Sequence, residues 1–148
     1  EQYGKLRTGA AKVPVLYARH RSLGVAVLTR AVRDAAASLG TDFDITISEV
    51  HHVHKKDAPS GTALKLGEAV AAARGEPGTG SVEFRSERRG EVPGDHEVVM
   101  KTYSEMLTFG HSVTTRKVFA DGAVRAARWI VDQPVGLYLM SDVLFQQN

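Results

Sequence analysis

The sequence predicts an α+β domain, a mixed open β-sheet with helices on one face. Three observations carry that expectation. Apolar residues recur at helical spacing over 25–39 and again over 63–73. Between them, Phe43, Ile45 and Ile47 alternate with Asp44, Thr46 and Ser48, the period of a half-buried strand. Three strand-like runs then follow one another with no helix between them, which favours pairing through short links over an all-parallel sheet.

In order along the chain, residues 1–12 are polar and read as a tail or the worn end of a preceding helix. Val13–Ala18 is short and β-prone, with Pro14 confining it to a strand start or an edge. Ser22 is placed to cap a helix carrying Val25, Leu28, Val32, Ala35, Ala36 and Leu39 on one stripe, and Gly40 stops it. The strand after it delivers Val50, His51 and His52 at its C-terminal end. Ala63, Leu66, Ala69, Val70 and Ala73 mark a second helix, which Gly75 and Pro77 break. Strands are expected over 82–88, 96–103 and 106–114, the last two joined as a hairpin through Tyr103-Ser104-Glu105. Helical spacing returns over 118–131 with Ala123, Ala127 and Ile130 on one face, and the tail after Pro134 is apolar enough to need covering.

Composition narrows the function classes. With 148 residues, 43% hydrophobic and 24% charged, the chain fits one domain with a real core. A net charge of +2 gives no basic stripe for nucleic acid. Cysteine is absent, which excludes disulfides, zinc-thiolate sites and thiol nucleophiles and is compatible with a cytoplasmic setting. No apolar run reaches the roughly 20 residues of a membrane span, and no signal peptide opens the sequence. The start at Glu1 in place of methionine leads us to expect a fragment or an excised domain.

The chemistry concentrates in Glu49–Thr62, E-V-H-H-V-H-K-K-D-A-P-S-G-T. Its second half is a turn into a helix. Pro59 restricts the entering chain, Gly61 lets a ligand approach the backbone, and Ser60 or Thr62 can cap. Free amides at the positive end of a helix dipole bind carboxylate or phosphate. A capped helix without a ligand is the plain alternative. In the first half, consecutive histidines leaving a strand point to opposite faces, so one faces a site and the other the sheet. Histidine exchanges protons near neutral pH, and a lysine beside an anion site anchors a carboxylate or donates a proton. Lys55 and Lys56 cannot both point inward. The alternatives are an exposed basic loop, or a metal site using His52 and His54, which the adjacent lysines disfavour. Elsewhere His111 reads as a core histidine, His96 as a strand-start residue following a structural turn at Gly94-Asp95, and Arg85, Arg88 and Arg89 as a solvated strand edge. The only G-x-G, Gly78-Thr79-Gly80, precedes a strand instead of a helix, so no dinucleotide fingerprint is present.

E-V-H-H-V-H-K-K-D-A-P-S-G-T-A over 49–63 resembles the signature of the bacterial dihydrodipicolinate reductase (4-hydroxy-tetrahydrodipicolinate reductase) family of lysine and diaminopimelate biosynthesis. Agreement extends to S-L-G-V at 22–25, Arg88, Gly90, G-D-H at 94–96, His111, Arg116, F-A-D-G-A at 119–123, R-A-A-R-W at 125–129, and G-L-Y with D-V-L near the end. The resemblance implies an NADH- or NADPH-dependent reductase acting on a cyclic dicarboxylic imine, cytoplasmic and homotetrameric. It divides this chain into the end of a cofactor-domain segment (1–21), a substrate-binding and oligomerisation domain (22–131), and a segment returning to the cofactor domain (132–148). The Rossmann part would lie outside the chain, which is then expected to be inactive alone. By similarity, His51 and Lys55 are the proton donors, His52, Gly61 and Thr62 bind substrate, no metal is used, and Ala18, Arg19, His20 and Arg21 form the cofactor-side loop. That loop departs from the family pattern, with His20 where an asparagine is usual. Leu139 and Ser141 stand where an acid and an arginine are usual, and Glu83 where a glycine is. A non-catalytic oligomerisation or dicarboxylate-binding domain that kept the fold is the alternative.

Overall fold

The alternation seen around Ile45 places one strand at the centre of a four-stranded sheet, and the rest of the domain is arranged on one side of it. The computed structural model describes residues 2–18 and 20–145. Its elements are α1 (Gln2–Ala10), β1 (Pro14–Tyr17), α2 (Leu23–Leu39), β2 (Asp44–His51), α3 (Gly61–Ala73), β3 (Val82–Arg88), β4 (Asp95–Lys101), β5 (Met106–Ser112), α4 (Lys117–Ile130), β6 (Gly136–Leu139) and α5 (Met140–Phe145). They divide into two compact units, one made of Glu1–Ala26 with Arg116–Asn148 and the other of Val27–Thr115.

The second unit is the expected α+β sheet. Its strand order is β3-β2-β4-β5. β2 and β3 run parallel around α3, and the other two pairings are antiparallel. Register aligns side chains into rows across one face. Val82, Ile45, Met100 and Leu107 form one row, and Phe84, Ile47, Val98 and Phe109 the next. Leu28, Val32 and Ala36 of α2 and Ala63, Leu66 and Val70 of α3 close over these two rows. Val32, Ile47, Leu66, Val70, Val98 and Met100 are fully buried. Each such side chain stabilises the fold by about 1.5–3 kcal/mol through loss of apolar surface. The same face continues with Ser86, Glu49, His96 and His111, then Arg88 and His51. Half of the helix-covered face is therefore core and half is polar.

In the first unit β1 and β6 pair in parallel, from Pro14 opposite Gly136 to Tyr17 opposite Leu139. Ser22 Oγ accepts the Val25 amide (3.3 Å), the cap expected at the start of α2. Ala26, Ala126, Met140 and Val143 form a small core. α4 approaches the Arg21 backbone so closely that a Cβ at Gly122 would lie 1.7 Å from the Arg21 carbonyl oxygen. Trp129 and Tyr138 stack edge to face with centroids 5.2 Å apart.

Predicted and observed elements agree closely through the sheet. The differences lie at the two ends. Residues 2–10 form a helix, one of the two readings of that segment, and the apolar tail resolves into β6 and α5, each too short to display a periodicity. β4 begins at Asp95, one residue before the expected strand start, and its pairing with β2 sets His96 beside Glu49 on the covered face.

Candidate active site

Period-two geometry carries Ile45, Ile47, Glu49 and His51 onto the same face of β2. The first two anchor the core, so the next two are drawn under the helices with them. Glu49 is only 1% exposed and His51 8%. A buried carboxylate is stable only when fully partnered, and Glu49 is. Arg88 grips it with two bonds, Nη2 to Oε1 at 2.9 Å and Nη1 to Oε2 at 3.0 Å. The Ser60 amide donates to Oε1 at 3.2 Å, and His51 Nδ1 contacts Oε2. Burial pushes the Glu49 carboxyl up, but hydrogen bonds from Arg88, His51 and Ser86 outweigh it and hold the group below the ordinary glutamate range.

Arg88 is not the solvated edge residue expected from the sequence. The parallel β2–β3 register sets it abreast of His51 on the covered face. Its guanidinium reaches past Glu49 to the carbonyls of Lys55 (3.2 Å), Glu87 (2.7 Å) and Asp57. All five of its N–H donors are thus used. This grip fixes the backbone on both sides of Lys56, which is itself exposed. Lys55 is only partly exposed, and its Nζ donates to Asp57 Oδ1 at 2.7 Å. That bond is the main reason the Asp57 carboxyl lies below its usual range.

The helix start is the other half of the site. Ser60 Oγ accepts the Ala63 amide at 3.2 Å as the N-cap of α3. Leu64 N bonds the Ser60 carbonyl, and the Ser60 amide is taken by Glu49. Among the described residues the Gly61 and Thr62 amides donate to nothing. Gly61 is exposed and faces open space, with no atom within 4 Å of where a Cβ would lie. The Ala58–Pro59 peptide before this turn is cis.

Behind the helix start, His96 Nε2 meets Ser60 Oγ at 3.2 Å. The His96 ring packs on its neighbours, with centroids 5.1 Å from His51 and 6.4 Å from His111. Burial, helped by those two rings, pushes His96 down to about 4, so it is neutral at neutral pH. Burial lowers His111 as well. Gly94 packs against the His51 ring, with φ +152° and a missing Cβ that would lie 2.9 Å from His51 Nε2.

Of the other candidates, His52 is half-buried, and its buried Nδ1 has no hydrogen-bond partner among the described residues. His54 is exposed and pairs with Glu91 at 3.3 Å. Among the described residues no group of three histidine, cysteine, aspartate or glutamate side chains is arranged to hold a metal. Ala18, His20 and Arg21 belong to the first unit, where Ala18 and Arg21 line a cavity of about 230 Å³ with Leu16, Ala123, Ala126, Ala127 and Ile130. Arg19 lies outside the described residues. Gly78-Thr79-Gly80 enters a single 3₁₀ turn, Thr79–Ser81, followed by β3. No helix N-terminus follows this glycine pair to receive a diphosphate, so the G-x-G does not fit a dinucleotide.

Sequence reasoning missed Glu49, Arg88 and His96. Glu49 was within reach, because the alternation that buries Ile45 and Ile47 extends to it. Alternation also places Arg88 with Val82 and Phe84 and His96 with Val98 and Met100, but that both meet Glu49 depends on strand register, which no local pattern reveals.

Fold and site together define an α+β domain that presents two free helix-start amides beside a histidine paired to a buried acid. Comparison with known proteins agrees. Residues 24–144 match the family model "Dihydrodipicolinate reductase, C-terminus", and the chain belongs to that family. A 4-hydroxy-tetrahydrodipicolinate reductase of Zymomonas mobilis subsp. mobilis is 46% identical over 155 residues, covering 94% of this chain and 61% of the relative. The same-named protein of Wolinella succinogenes is 42% identical, covering 96% and 61%. The chain thus spans about three-fifths of the length of these relatives. A solved structure, "Dipicolinate bound Dihydrodipicolinate reductase from Paenisporosarcina sp. TG-14", superposes with a TM-score of 0.77 at 22% identity, covering 93% of this chain and 58% of the other. At that identity the likeness establishes the fold.

Proposed function

We propose that this chain is the substrate-binding part of a nicotinamide-dependent reductase that converts 4-hydroxy-tetrahydrodipicolinate to tetrahydrodipicolinate. The observation that carries the reading is the pair of unengaged amides, Gly61 and Thr62, at the open start of α3. A carboxylate placed there completes the first turn and meets the positive end of the helix dipole, worth roughly 0.3–2 kcal/mol. His52, with a buried ring nitrogen lacking a partner, holds the same ligand. A dianion also competes for Lys55, whose present partner Asp57 is an exposed acid.

NADH or NADPH, when bound, supplies a hydride. The described residues build no diphosphate cradle, so this chain's part is the proton. His51 and Lys55 supply it, because replacing the 4-hydroxyl by hydride releases that oxygen as water and so consumes one proton per turnover. Ala18, Arg19, His20 and Arg21 are assigned to the cofactor side. Segments 1–21 and 132–148 are assigned to the cofactor domain, and 22–131 to substrate binding and oligomerisation. What supports grouping the two terminal segments is the parallel β1–β6 pair. Parallel strands are ordinarily found inside larger covered sheets, and Val13, Val135 and Leu139 around this pair are exposed at 54%, 56% and 42%.

A homotetrameric, cytoplasmic setting belongs to the same reading. No helix of the described residues is long and apolar enough to cross a membrane. The uncovered sheet face offers an association surface, with a concavity of about 470 Å³ over Ser48, Val50, Glu97 and Gly110. A monomer by light scattering would remove the tetramer from the reading.

Calorimetry with pyridine-2,6-dicarboxylate tests the site. The chain is expected to bind it, and Gly61→Trp is expected to abolish binding by filling the space over the amides. Absence of binding, or binding unchanged in Gly61→Trp, refutes the assignment.

A further inference from the structure

We propose that Glu49 is a positioning residue joining the two halves of the site: its Oε2 fixes the His51 ring with the proton on Nδ1, and its Oε1 holds the Ser60 amide that starts α3. The inference rests on the reading of His51 as a proton donor and of the α3 start as the anion cradle. It goes further by naming which ring nitrogen exchanges the proton and what aligns donor and cradle.

Donor and acceptor roles determine the tautomer. An ionised carboxylate only accepts hydrogen bonds. Glu49 is ionised at neutral pH, because Arg88, His51 and Ser86 hold it below the usual range against the effect of burial. The ring nitrogen facing it, Nδ1, must therefore carry hydrogen. Nε2 is left as the atom that takes up and releases the exchangeable proton. It lies where a side chain at position 94 would stand, in room left by the glycine there. No other described side chain is placed to do this, since His96 contacts Ser60 and approaches His51 only as a ring edge.

The second arm of the carboxylate sets the cradle. Glu49 Oε1 takes the Ser60 amide, the donor just ahead of Gly61 and Thr62. That amide is withdrawn from the ligand, and the next two remain for it. Arg88 spans both carboxylate oxygens and the Lys55 carbonyl, so the backbone bearing the second proposed donor is referenced to the same acid. His51, Lys55 and the α3 start therefore share one origin. The cluster resembles catalytic histidines oriented by a buried acid, where exchanging the acid for its amide preserves shape but reverses the tautomer.

The test reads the tautomer directly, from ring-nitrogen chemical shifts of the chain labelled with ¹⁵N-histidine in mildly alkaline buffer. A His51→Asn variant assigns the signals. In the wild-type chain His51 is expected to show a protonated Nδ1 and an unprotonated Nε2. In Glu49→Gln the carboxamide can donate to Nδ1, and the proton is expected to move to Nε2. Glu49→Asp keeps a charge for Arg88 but withdraws the oxygen from the ring, and His51 is expected to sample both tautomers while the Ser60 amide proton moves upfield. A wild-type His51 protonated on Nε2 overturns the proposal without recourse to any variant that fails to fold. So does an unchanged Nδ1–H tautomer in folded Glu49→Gln or Glu49→Asp. Calorimetry of the wild-type chain with pyridine-2,6-dicarboxylate separates the two readings. If the tautomer is as expected and the dicarboxylate does not bind, the functional reading fails and the positioning role of Glu49 stands.

Discussion

Replacing Arg88 with methionine isolates what its pairing with Glu49 contributes. The substitution keeps much of the apolar stem while removing both bonds to the carboxylate and the bonds to the carbonyls of Lys55, Glu87 and Asp57. Glu49, 1% exposed, is left with His51, Ser86 and the Ser60 amide. Breaking a buried pair from one side typically costs about 3–5 kcal/mol. On a urea slope of roughly 2 kcal/mol per molar, that lowers the unfolding midpoint by about 1.5–2.5 M. Far-ultraviolet circular dichroism during urea titration reads it. The pH dependence gives a second check on the cause. In the wild-type chain Glu49 lies below its unfolded value, so its contribution is complete above the ordinary glutamate range and is lost as pH falls through the lower folded value. In Arg88→Met the effect of burial prevails and the carboxyl rises, so the folded variant binds a proton more tightly than the unfolded chain. Its stability then improves, relative to the wild type, as the solution is acidified. The gap between the two proteins should be widest near neutrality and narrow toward acid. A gap under about 1 kcal/mol at neutral pH, or one equal at acid and neutral pH, would show that Arg88 is not neutralising a buried charge.

Three further outcomes follow from the same geometry. Stability should fall by roughly 3 kcal/mol as pH drops from the usual histidine value toward about 4, because the unfolded chain takes up a proton that buried His96 refuses; His96→Gln should flatten that slope in urea titrations. Gly94→Ala should cost about 1–3 kcal/mol from its φ of +152° and shift the His51 ring resonances, since the new Cβ would lie 2.9 Å from Nε2; unchanged His51 resonances would contradict the close approach. Gly122→Ala should destabilise the first unit by about 3 kcal/mol or more, as its Cβ would meet the Arg21 carbonyl at 1.7 Å; fluorescence of Trp129, the single tryptophan, reports it, and an unmoved midpoint would refute the packing.

The sheet was legible because its period-two and helical patterns are long enough to declare themselves. Val82–Arg88 was expected and observed with the same bounds, and Ser60 capped the predicted second helix. What escaped was whatever depends on pairing between distant strands. Arg88 stands among charged neighbours, Arg85 and Arg89, whose composition masks the alternation that sets it with Val82 and Phe84 and leaves Arg85 exposed on Glu83. Its meeting with Glu49 and His51 needs the parallel register with β2. His96 starts an expected strand after a glycine and an aspartate, and only the antiparallel register shows that it lies beside Glu49. At the termini the reason is different. β6 has four residues and α5 six, fewer than either period needs to show itself.

The placement of Glu49 shows why one strand serves both stability and chemistry. A buried ion pair seldom stabilises a fold more than apolar residues of similar volume would. Leucine at 49 would continue the Ile45–Ile47 row at no desolvation cost, yet it could neither orient an imidazole nor take the Ser60 amide. The apolar rows carry the folding energy beneath α2 and α3, and the polar rows continue the same face to the start of α3, where Ser60 meets Glu49 and His96. Rigidity is thereby transferred along β2: a backbone fixed by fully buried Ile47 presents Glu49 two residues later with little freedom left. Arg88, at a strand end and abreast of His51, then satisfies the charge and extends that order into the loop bearing Lys55. The acid is tolerated because the adjoining core is strong enough to absorb its desolvation, and it is useful because that core holds it still.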